Sequence, residues 1–470
     1  MKPKSIAFHH FGCKVNFAEA SALSRQFQEN GFEVRDFHIP ADIYVISTCV
    51  VTAVAEKKCR AAIRQAHKIN PDAMIAVIGC FSELKPGELV KMEGVDLVLG
   101  HSGKFRLLEE LNKLFQPDSN YHGGIAAATE TSPDEFIPSF SFGDRTRSFL
   151  KIQDGCDYFC TYCTIPLARG RSRSDTIENT VKNVREILNN GIKEIVLTGV
   201  NIGDFGKGNK QSFIQLIREL DQIEGMNRFR ISSIEPDLLS NEIIAFVSES
   251  KNFLPHFHLP LQSGCDKILK AMHRKYNREL YASRVQKITE VMPQACIAAD
   301  VIVGFPGETD EDFSDTFKFL EQLEVSYFHV FTYSKRDNTL AFRIVESVPD
   351  KVKKERSNAL HKLSDEKKHK FYLGNRNHEE HVLFESDNSQ GFMHGFTRNY
   401  IKVKTKFNPG YVNQVVKVKL DHLGIDGVYC MNPILNAPPN REGILPPSLV
   451  GKADQGVGFE IKNHNDEDEP

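Results

Sequence analysis

The stretch DGCDYFCTYC, residues 154–163, spaces three cysteines as C-x3-C-x2-C at Cys156, Cys160 and Cys163. An apolar run, RSFLKIQ (147–153), leads into it, and TIPLARGRSRS (164–174) follows. Three thiolates this close together suit a single metal centre. Zinc usually takes four protein ligands, often as two C-x2-C pairs. No fourth Cys or His stands nearby, so zinc is the weaker reading. A [4Fe–4S] cubane held by three cysteines keeps one iron open, and a small molecule can bind there.

RSFLKIQ is the first of a series. EIVLTG (194–199), RFRISSI (228–234), HFHLPL (256–261), ACIAADVIVG (295–304) and YFHVFTY (327–333) read as further strands. Amphipathic helices such as TIENTVKNVREILNN (176–190), FIQLIRELDQIE (213–224) and DEDFSDTFKFLEQL (310–323) separate them. Six or so β-α units predict a partial TIM-like (β/α) barrel, whose chemistry sits at the C-terminal ends of its strands.

Upstream, SIAFHHFG (5–12), ADIYVIST (41–48), AMIAVIG (73–79) and VDLVLG (95–100) alternate with helices. That pattern predicts a parallel, Rossmann-like sheet. Three of these strands end directly before Cys13, Cys49 and Cys80. A parallel sheet carries its strand ends along one edge, so thiols distant in sequence are expected to converge there. Taken alone, Cys13 reads as a small buried hydrophobe; the shared context makes it a ligand. Cys59 lies inside a helical pattern and reads as structural, as do Cys265, Cys296 and Cys430. Downstream, 351–373 reads as a charged helix, and EEHVLFES, FMHGFTRNYIKVKTK, NQVVKVKLDHLG and GVYCMNP as short strands of a small antiparallel barrel.

The fold class is therefore α/β with three parts. Expected boundaries are 1–120 for the first domain, 121–143 for a Ser/Pro/Gly/Asp-rich linker, 144–372 for the barrel, 373–435 for the small barrel and 436–470 for a partly disordered tail that ends in the acidic NHNDEDEP. The chain has 470 residues, is 40% hydrophobic and 26% charged, and has a net charge of −3. That composition excludes collagen-like and disordered classes. No apolar run approaches the roughly 20 residues a membrane span needs, and no signal-peptide pattern opens the sequence, so no membrane partner is expected and the compartment is expected to be the cytoplasm. In that setting the ten cysteines are expected to be reduced.

C-x3-C-x2-C at the first strand of a β/α barrel resembles the radical SAM superfamily. The resemblance implies that a [4Fe–4S] cluster on Cys156, Cys160 and Cys163 binds S-adenosylmethionine (SAM) at its open iron and cleaves it to a 5′-deoxyadenosyl radical. It also implies SAM contacts at strand ends: Tyr162 before the last cysteine, Thr198 and Gly199 in EIVLTGVN, Ser233 and Glu235 in RISSIEP, and Gln262 and Ser263 in HLPLQSG.

With Cys13, Cys49 and Cys80 ahead of the barrel and an RNA-binding TRAM-like barrel after it, the whole resembles the methylthiotransferase family. This implies a second [4Fe–4S] cluster on the first three cysteines and two SAM per turnover, one methylating the sulfur and one generating the radical. It also implies an electron donor such as flavodoxin or ferredoxin, and a sulfur donor. No catalytic side chain beyond the two clusters is implied. The motif GCKVN (12–16) is similar to the branch acting on tRNA N6-threonylcarbamoyladenosine at position 37, beside the anticodon; the isopentenyladenosine branch typically reads GCQMN and the ribosomal-protein aspartate branch GCPKN. Those two substrates, or a non-catalytic iron–sulfur RNA-binding regulator, remain the alternatives. The basic ARGRSRS run nominates Arg169, Arg171 and Arg173 as contacts to phosphate or to the threonylcarbamoyl carboxylate.

Overall fold

The computed structural model describes residues 5–50, 53–114, 125–127, 135–143, 146–225 and 228–431. The expected tail, 436–470, lies outside the described residues. The first sheet contains β1 (Ser5–His10), β2 (Glu33–Arg35), β3 (Ile43–Thr48), β4 (Met74–Gly79), β5 (Val95–Leu99) and β6 (Ile125–Ala127), in the order β2-β1-β3-β4-β5-β6. All its pairings are parallel. Continuous apolar strands such as IYVIST, buried at all six positions, are what a sheet covered on both faces requires. Helix α1 (Lys14–Glu29) starts right after β1, α2 (Ala53–Ile69) follows β3, and α3 (Cys80–Leu84) follows β4.

The barrel combines β7 (Ser139–Phe140), β8 (Ser148–Lys151), β11 (Ile195–Thr198) and β12 (Phe229–Ile231) with β13 (His256–Gln262), β14 (Cys296–Val303) and β15 (Tyr327–Thr332); a short hairpin of β9 (Gln153–Asp154) and β10 (Arg173–Ser174) follows β8. Parallel bridges Phe229↔Phe253 and Ser233↔His258 join the two halves into one arc. All six expected strands are present. The segment expected to be a linker contains β6 and β7, which add an edge strand to each of the two large sheets. Three- and two-residue strands are too short to show a period of two in the sequence.

Alternation along the barrel strands sorts residues by face. Leu150, Ile195, Leu197, Phe257, Leu259, Ile297 and Val301 belong to the large core beneath the helices. Their neighbours on the other face include Val196, Arg230, His256, His258, Ala298 and His329, which line an internal cavity. On that inner face α1 packs Phe17 and Ala18 against Phe149 and Val196, with the Phe17 and Phe149 rings edge-on at 5.5 Å. The first domain thus closes the open side of the barrel.

Helix α4 (Ile165–Arg169) follows the cysteine loop, and α5 (Asp350–Gly374) follows β15. Ser364 on α5 satisfies both backbone groups of Phe328, accepting at 2.9 Å and donating at 2.7 Å. The C-terminal sheet, β16 (Glu379–Phe384), β17 (Phe392–Phe396), β18 (Lys402–Lys406), β19 (Val415–Lys419) and β20 (Tyr429–Cys430), runs β19-β16-β17-β18-β20. Its pairs are antiparallel except β18–β20.

That sheet docks on the N-terminal ends of β11 and β12. Glu194, fully buried, receives Arg228 Nε at 2.7 Å and Arg230 Nε at 2.9 Å. Arg228 also donates to the carbonyls of His381 at 3.2 Å and Phe396 at 3.1 Å. Burial pushes the Glu194 carboxyl up, but Arg230, Arg228 and Arg147 outweigh this and hold it at about 2, below its ordinary 4.5. A depressed carboxylate contributes stability that is complete above the unfolded value and is lost as pH falls through the folded one. At about 1.4 kcal/mol per unit, this is about 3 kcal/mol. The junction should therefore loosen between pH 4.5 and about 2. Limited acid proteolysis should then release the C-terminal sheet, while a Glu194→Gln protein should already be loosened at neutral pH and show no such acid step.

Candidate active site

The C-x3-C-x2-C loop joins the β9 strand to α4 at the C-terminal end of the first barrel strand. Each sulfur has one N–H donor: Tyr158 N–H to Cys156 Sγ at 3.4 Å, Ile165 N–H to Cys163 Sγ at 3.4 Å, and Arg274 Nη1 to Cys160 Sγ at 3.0 Å. Such donors favour thiolate over thiol. Burial acts against them and pushes Cys156 and Cys163 up to about 12, with Cys160 adding to both. Three converging thiolates in such surroundings need a cation among them, and the donor set is all sulfur. Among the described residues, the compact His/Cys/Asp/Glu groups with ligand atoms within 4.8 Å of one another include no cysteine. A mononuclear zinc site would hold its sulfurs about 3.8 Å apart, given a bond of about 2.3 Å. The wider trio fits a polynuclear cluster.

The loop is fastened at several points. Cys156 N–H reaches the Gly170 carbonyl at 3.1 Å, Thr161 N–H the Met272 carbonyl at 3.1 Å, and Ala341 N–H the Thr161 carbonyl at 2.8 Å. Gly155 has φ +67°, and a Cβ there would sit 2.0 Å from the Arg171 carbonyl oxygen, so only glycine fits. Tyr162 packs against Cys265, Ile268, Met272 and Phe305.

Around the loop lie several of the expected SAM residues. Gly199 lies against Gln153, whose Oε1 accepts from Asn201 N–H at 2.7 Å; a Cβ on Gly199 would be 2.9 Å from that same oxygen. Thr198 is buried at the end of β11, its carbonyl taken by Ile152 N–H at 2.9 Å. Glu235 pairs with the Arg274 guanidinium, and burial, only partly opposed by Arg274, raises it to about 7. Gln262 takes a positive φ of 66° where β13 ends. Two expectations change. Ser263 is fully buried, accepting from Cys265 N–H at 3.2 Å and meeting Thr316 Oγ1 at 3.2 Å, so its hydroxyl serves the turn. The Ser233 hydroxyl bonds His258 Nδ1 at 2.7 Å, and His258 Nε2 meets Asp300 at 2.8 Å, a relay across three strands.

Cys13 caps α1, Cys49 follows β3, and Cys80 opens α3, on three adjacent strands. Gly12 has φ +95°, and a Cβ there would fall 2.8 Å from Cys49 Sγ. Asn16 ties the loops together, donating to the carbonyls of Phe11 at 2.9 Å and Thr48 at 3.0 Å. The same Asn16 accepts from Arg169, whose Nε donates to Cys80 Sγ at 3.2 Å. Burial raises the Cys80 thiol, opposed mainly by Arg169 and Lys104. Again the residues are a sulfur trio with a cationic donor, which fits a cluster. Cys59 is fully buried in the core of the first domain and pushed up to about 12 by burial.

Arg169, expected at phosphate, is instead 2% exposed. It spans the two cysteine-bearing parts: six positions beyond Cys163 in sequence, it touches Cys80. Its Nη1 meets Asp154 at 2.9 Å, and Nη2 meets Glu19 at 3.1 Å. Glu19 also receives Lys104 at 2.5 Å and Lys151 at 2.8 Å. Asp154 meets His101 Nε2 at 3.0 Å, while Lys104 lies 3.0 Å from His101 Nδ1. Burial and then Lys104 push His101 down to about 4, so it is neutral. Arg173 also turns inward, to Asp154 at 3.3 Å and to the Arg169 carbonyl at 2.7 Å. Of the three arginines only Arg171 faces solvent, its side chain 76% exposed. The sequence reading missed Glu19, Lys104, Lys151, Asp154 and Arg274. One signal was available for Lys151, a charge inside the apolar run SFLKIQ.

Two family models match the chain: the Radical SAM superfamily over residues 150–320 and Uncharacterized protein family UPF0004 over 5–100. The fold and its cysteine loop thus define a radical SAM enzyme, a class that uses an iron–sulfur cluster and SAM. Among curated proteins, the Threonylcarbamoyladenosine tRNA methylthiotransferase MtaB of Bacillus subtilis is 39% identical over 422 residues, covering 88% of this chain and 93% of that protein. The protein of the same name from Aquifex aeolicus is 37% identical, covering 88% and 99%. A tRNA-2-methylthio-N(6)-dimethylallyladenosine synthase from Clostridium tetani is 34% identical, covering 87% and 92%. The chain belongs to the MtaB-like radical SAM methylthiotransferase family. Its fold is also similar to the radical S-adenosylmethionine methyltransferase TsrM from Kitasatospora setae, with a TM-score of 0.53, 14% identity and coverage of 70% of this chain and 73% of that one. Among the described residues no helix is long and apolar enough to cross a membrane.

Proposed function

We propose that this chain methylthiolates C2 of N6-threonylcarbamoyladenosine at position 37 of tRNA, giving the 2-methylthio derivative. The observation that carries the reading is the pair of sulfur trios, with the barrel's buried Arg169 donating to Cys80 of the first, in a chain 39% identical to an enzyme with that name. Cys156, Cys160 and Cys163 would hold the [4Fe–4S] cluster that binds SAM, and Cys13, Cys49 and Cys80 a second one. Bound there, the two clusters and SAM would supply the radical that removes the C2 hydrogen and the methylated sulfur that replaces it.

The chain's own residues do the positioning. Tyr162, Thr198, Gly199, Gln262 and Glu235 surround the cofactor end of the barrel, and Arg274 holds Glu235 and Cys160 together. Asn16 and Arg169 keep the first-domain thiols facing the barrel. A cleft of about 410 Å3 between β15, α5 and the C-terminal sheet presents Tyr327, Phe331, Tyr400, Lys368 and Lys402. Aromatic and basic groups of this kind suit an RNA strand with unstacked bases. Exposed Arg171 is a phosphate contact. A base that must reach the interior has to leave its stack. The reductant would be a flavodoxin or ferredoxin, a separate sulfur donor would recharge the second cluster, and the reaction would run in the cytoplasm.

Nucleoside mass spectrometry of tRNA from a deletion strain checks the substrate. The 2-methylthio-threonylcarbamoyl nucleoside should vanish and its unthiolated precursor accumulate. Loss of 2-methylthio-isopentenyladenosine instead would assign the other tRNA substrate.

A further inference from the structure

A guanidinium has five N–H donors, and Arg169 uses all of them. Nη1 donates to Asp154 at 2.9 Å and to Glu19 at 3.3 Å, and Nη2 to Glu19 at 3.1 Å and to Asn16. The fifth, Nε–H, donates to Cys80 Sγ at 3.2 Å. With its other four donors held, the group cannot turn that bond away. Its backbone is held as well: the next residue, Gly170, accepts from Cys156 N–H at 3.1 Å, and Arg173 donates to the Arg169 carbonyl at 2.7 Å. One residue thus fixes the barrel's cysteine loop relative to a first-domain sulfur.

The choice of sulfur as the fifth acceptor is informative. A neutral thiol accepts weakly, whereas a buried guanidinium gains most from an ionised acceptor. Arg169 shares Glu19 and Asp154 with Lys104, Lys151 and Arg173. Among the described residues, four cations thus meet two carboxylates within ion-pair distance. A metal-bound thiolate at Cys80 supplies Arg169 with a further anion. Arg169 is 2% exposed, so water and salt screen this contact little.

We propose that Arg169 is a positioning residue that favours the reduced state of the centre on Cys13, Cys49 and Cys80, and so helps that centre take up the electron left over when the C–S bond forms; this rests on the methylthiolation reading above. Removal of the C2 hydrogen leaves one unpaired electron on C2. The methylated sulfur brings an electron pair. Two of these three electrons make the C–S bond as the sulfur leaves the centre. The third passes to the centre, which is reduced by one electron. Reduction adds negative charge, and a fixed cation against a ligand sulfur stabilises the more negative state. Hydrogen bonds to the sulfurs and net charge are what set the potential of such centres.

A redox titration followed by electron paramagnetic resonance reads the effect directly. In a full-length Cys156→Ala/Cys160→Ala/Cys163→Ala background only the first-domain centre remains, at about four irons per chain. Its midpoint potential is then measured alone and without tRNA. Adding Arg169→Met should shift that potential to more negative values. Arg169→Lys keeps a buried cation and loses the Nε–H donor, so its shift should have the same sign and be smaller. Iron content reports the loading of each protein. With all six cysteines present, Arg169→Met should yield less methylthiolated tRNA per 5′-deoxyadenosine formed than the wild type. An unshifted or more positive potential in the loaded Arg169→Met protein overturns the proposal. Where that protein does not load, the same result in Arg169→Lys overturns it. An unchanged ratio of the two products overturns the link to sulfur transfer. A wild type that thiolates a different nucleoside overturns the substrate reading alone, because the potential is read without tRNA.

Discussion

Replacing Glu19 with alanine is expected to destabilise the protein by about 3–5 kcal/mol, the range for stranding buried charge. Glu19 is 2% exposed and accepts from Lys104, Lys151 and Arg169. Lys104 belongs to the first domain, whereas Lys151 and Arg169 belong to the barrel. Removing the carboxylate leaves three cations sharing Asp154 alone. Burial already lowers Lys104 to about 8, with only Glu19 and Asp154 opposing. Without Glu19 it should shed its proton near neutral pH. Urea unfolding of the anaerobic protein measures the loss, and a change under 1 kcal/mol, the size of an exposed pair, would contradict the buried network. Glu19→Gln should recover little, because it keeps the shape and loses the charge. Adding Lys151→Met to Glu19→Leu should recover part, since matched apolar replacements of buried ions are often tolerated.

Removal of the first-domain thiols separates the two halves of the reaction. Cys13→Ala/Cys49→Ala/Cys80→Ala should lower bound iron from about eight to about four per chain, one [4Fe–4S] centre remaining. This protein should still form 5′-deoxyadenosine from SAM on reduction and yield no methylthiolated tRNA. Cys156→Ala/Cys160→Ala/Cys163→Ala should lose both. The difference arises because N–H donors and loop anchors at Cys156, Cys160 and Cys163 come from the barrel itself. Arg169 of the barrel reaches the first trio through a cysteine sulfur, at Cys80. If the first triple variant stops cleaving SAM, the two centres are not separable in this way. If its iron content is unchanged, Cys13, Cys49 and Cys80 hold no cluster.

Spacing and periodicity along the chain were enough for the layout. C-x3-C-x2-C points to a metal centre without any coordinates, because ligand chemistry depends on residue type and local spacing. Apolar runs ending at Cys13, Cys49 and Cys80 locate those thiols together, because a parallel sheet has one edge where all strands end. The six barrel strands and the C-terminal sheet were legible for the same reason: each repeats a local pattern.

Tertiary structure decided what the charged residues do. Arg169, Arg171 and Arg173 form one basic run in the sequence, yet two of them turn inward and one outward. Their partners Glu19, His101 and Asp154 are up to 150 residues away. The alternating histidines of HFHLPL mark a two-residue period, but nothing local says that their face is a polar chamber and the leucine face the core. Lys14 is a single letter beside a cysteine until α1 closes the barrel and carries it against Arg230 and His256. Local pattern sets secondary structure, where interactions reach only a few residues. Whether a charge meets solvent or a distant partner depends on which surfaces pack, and that is settled only when the three parts of the chain close on one another.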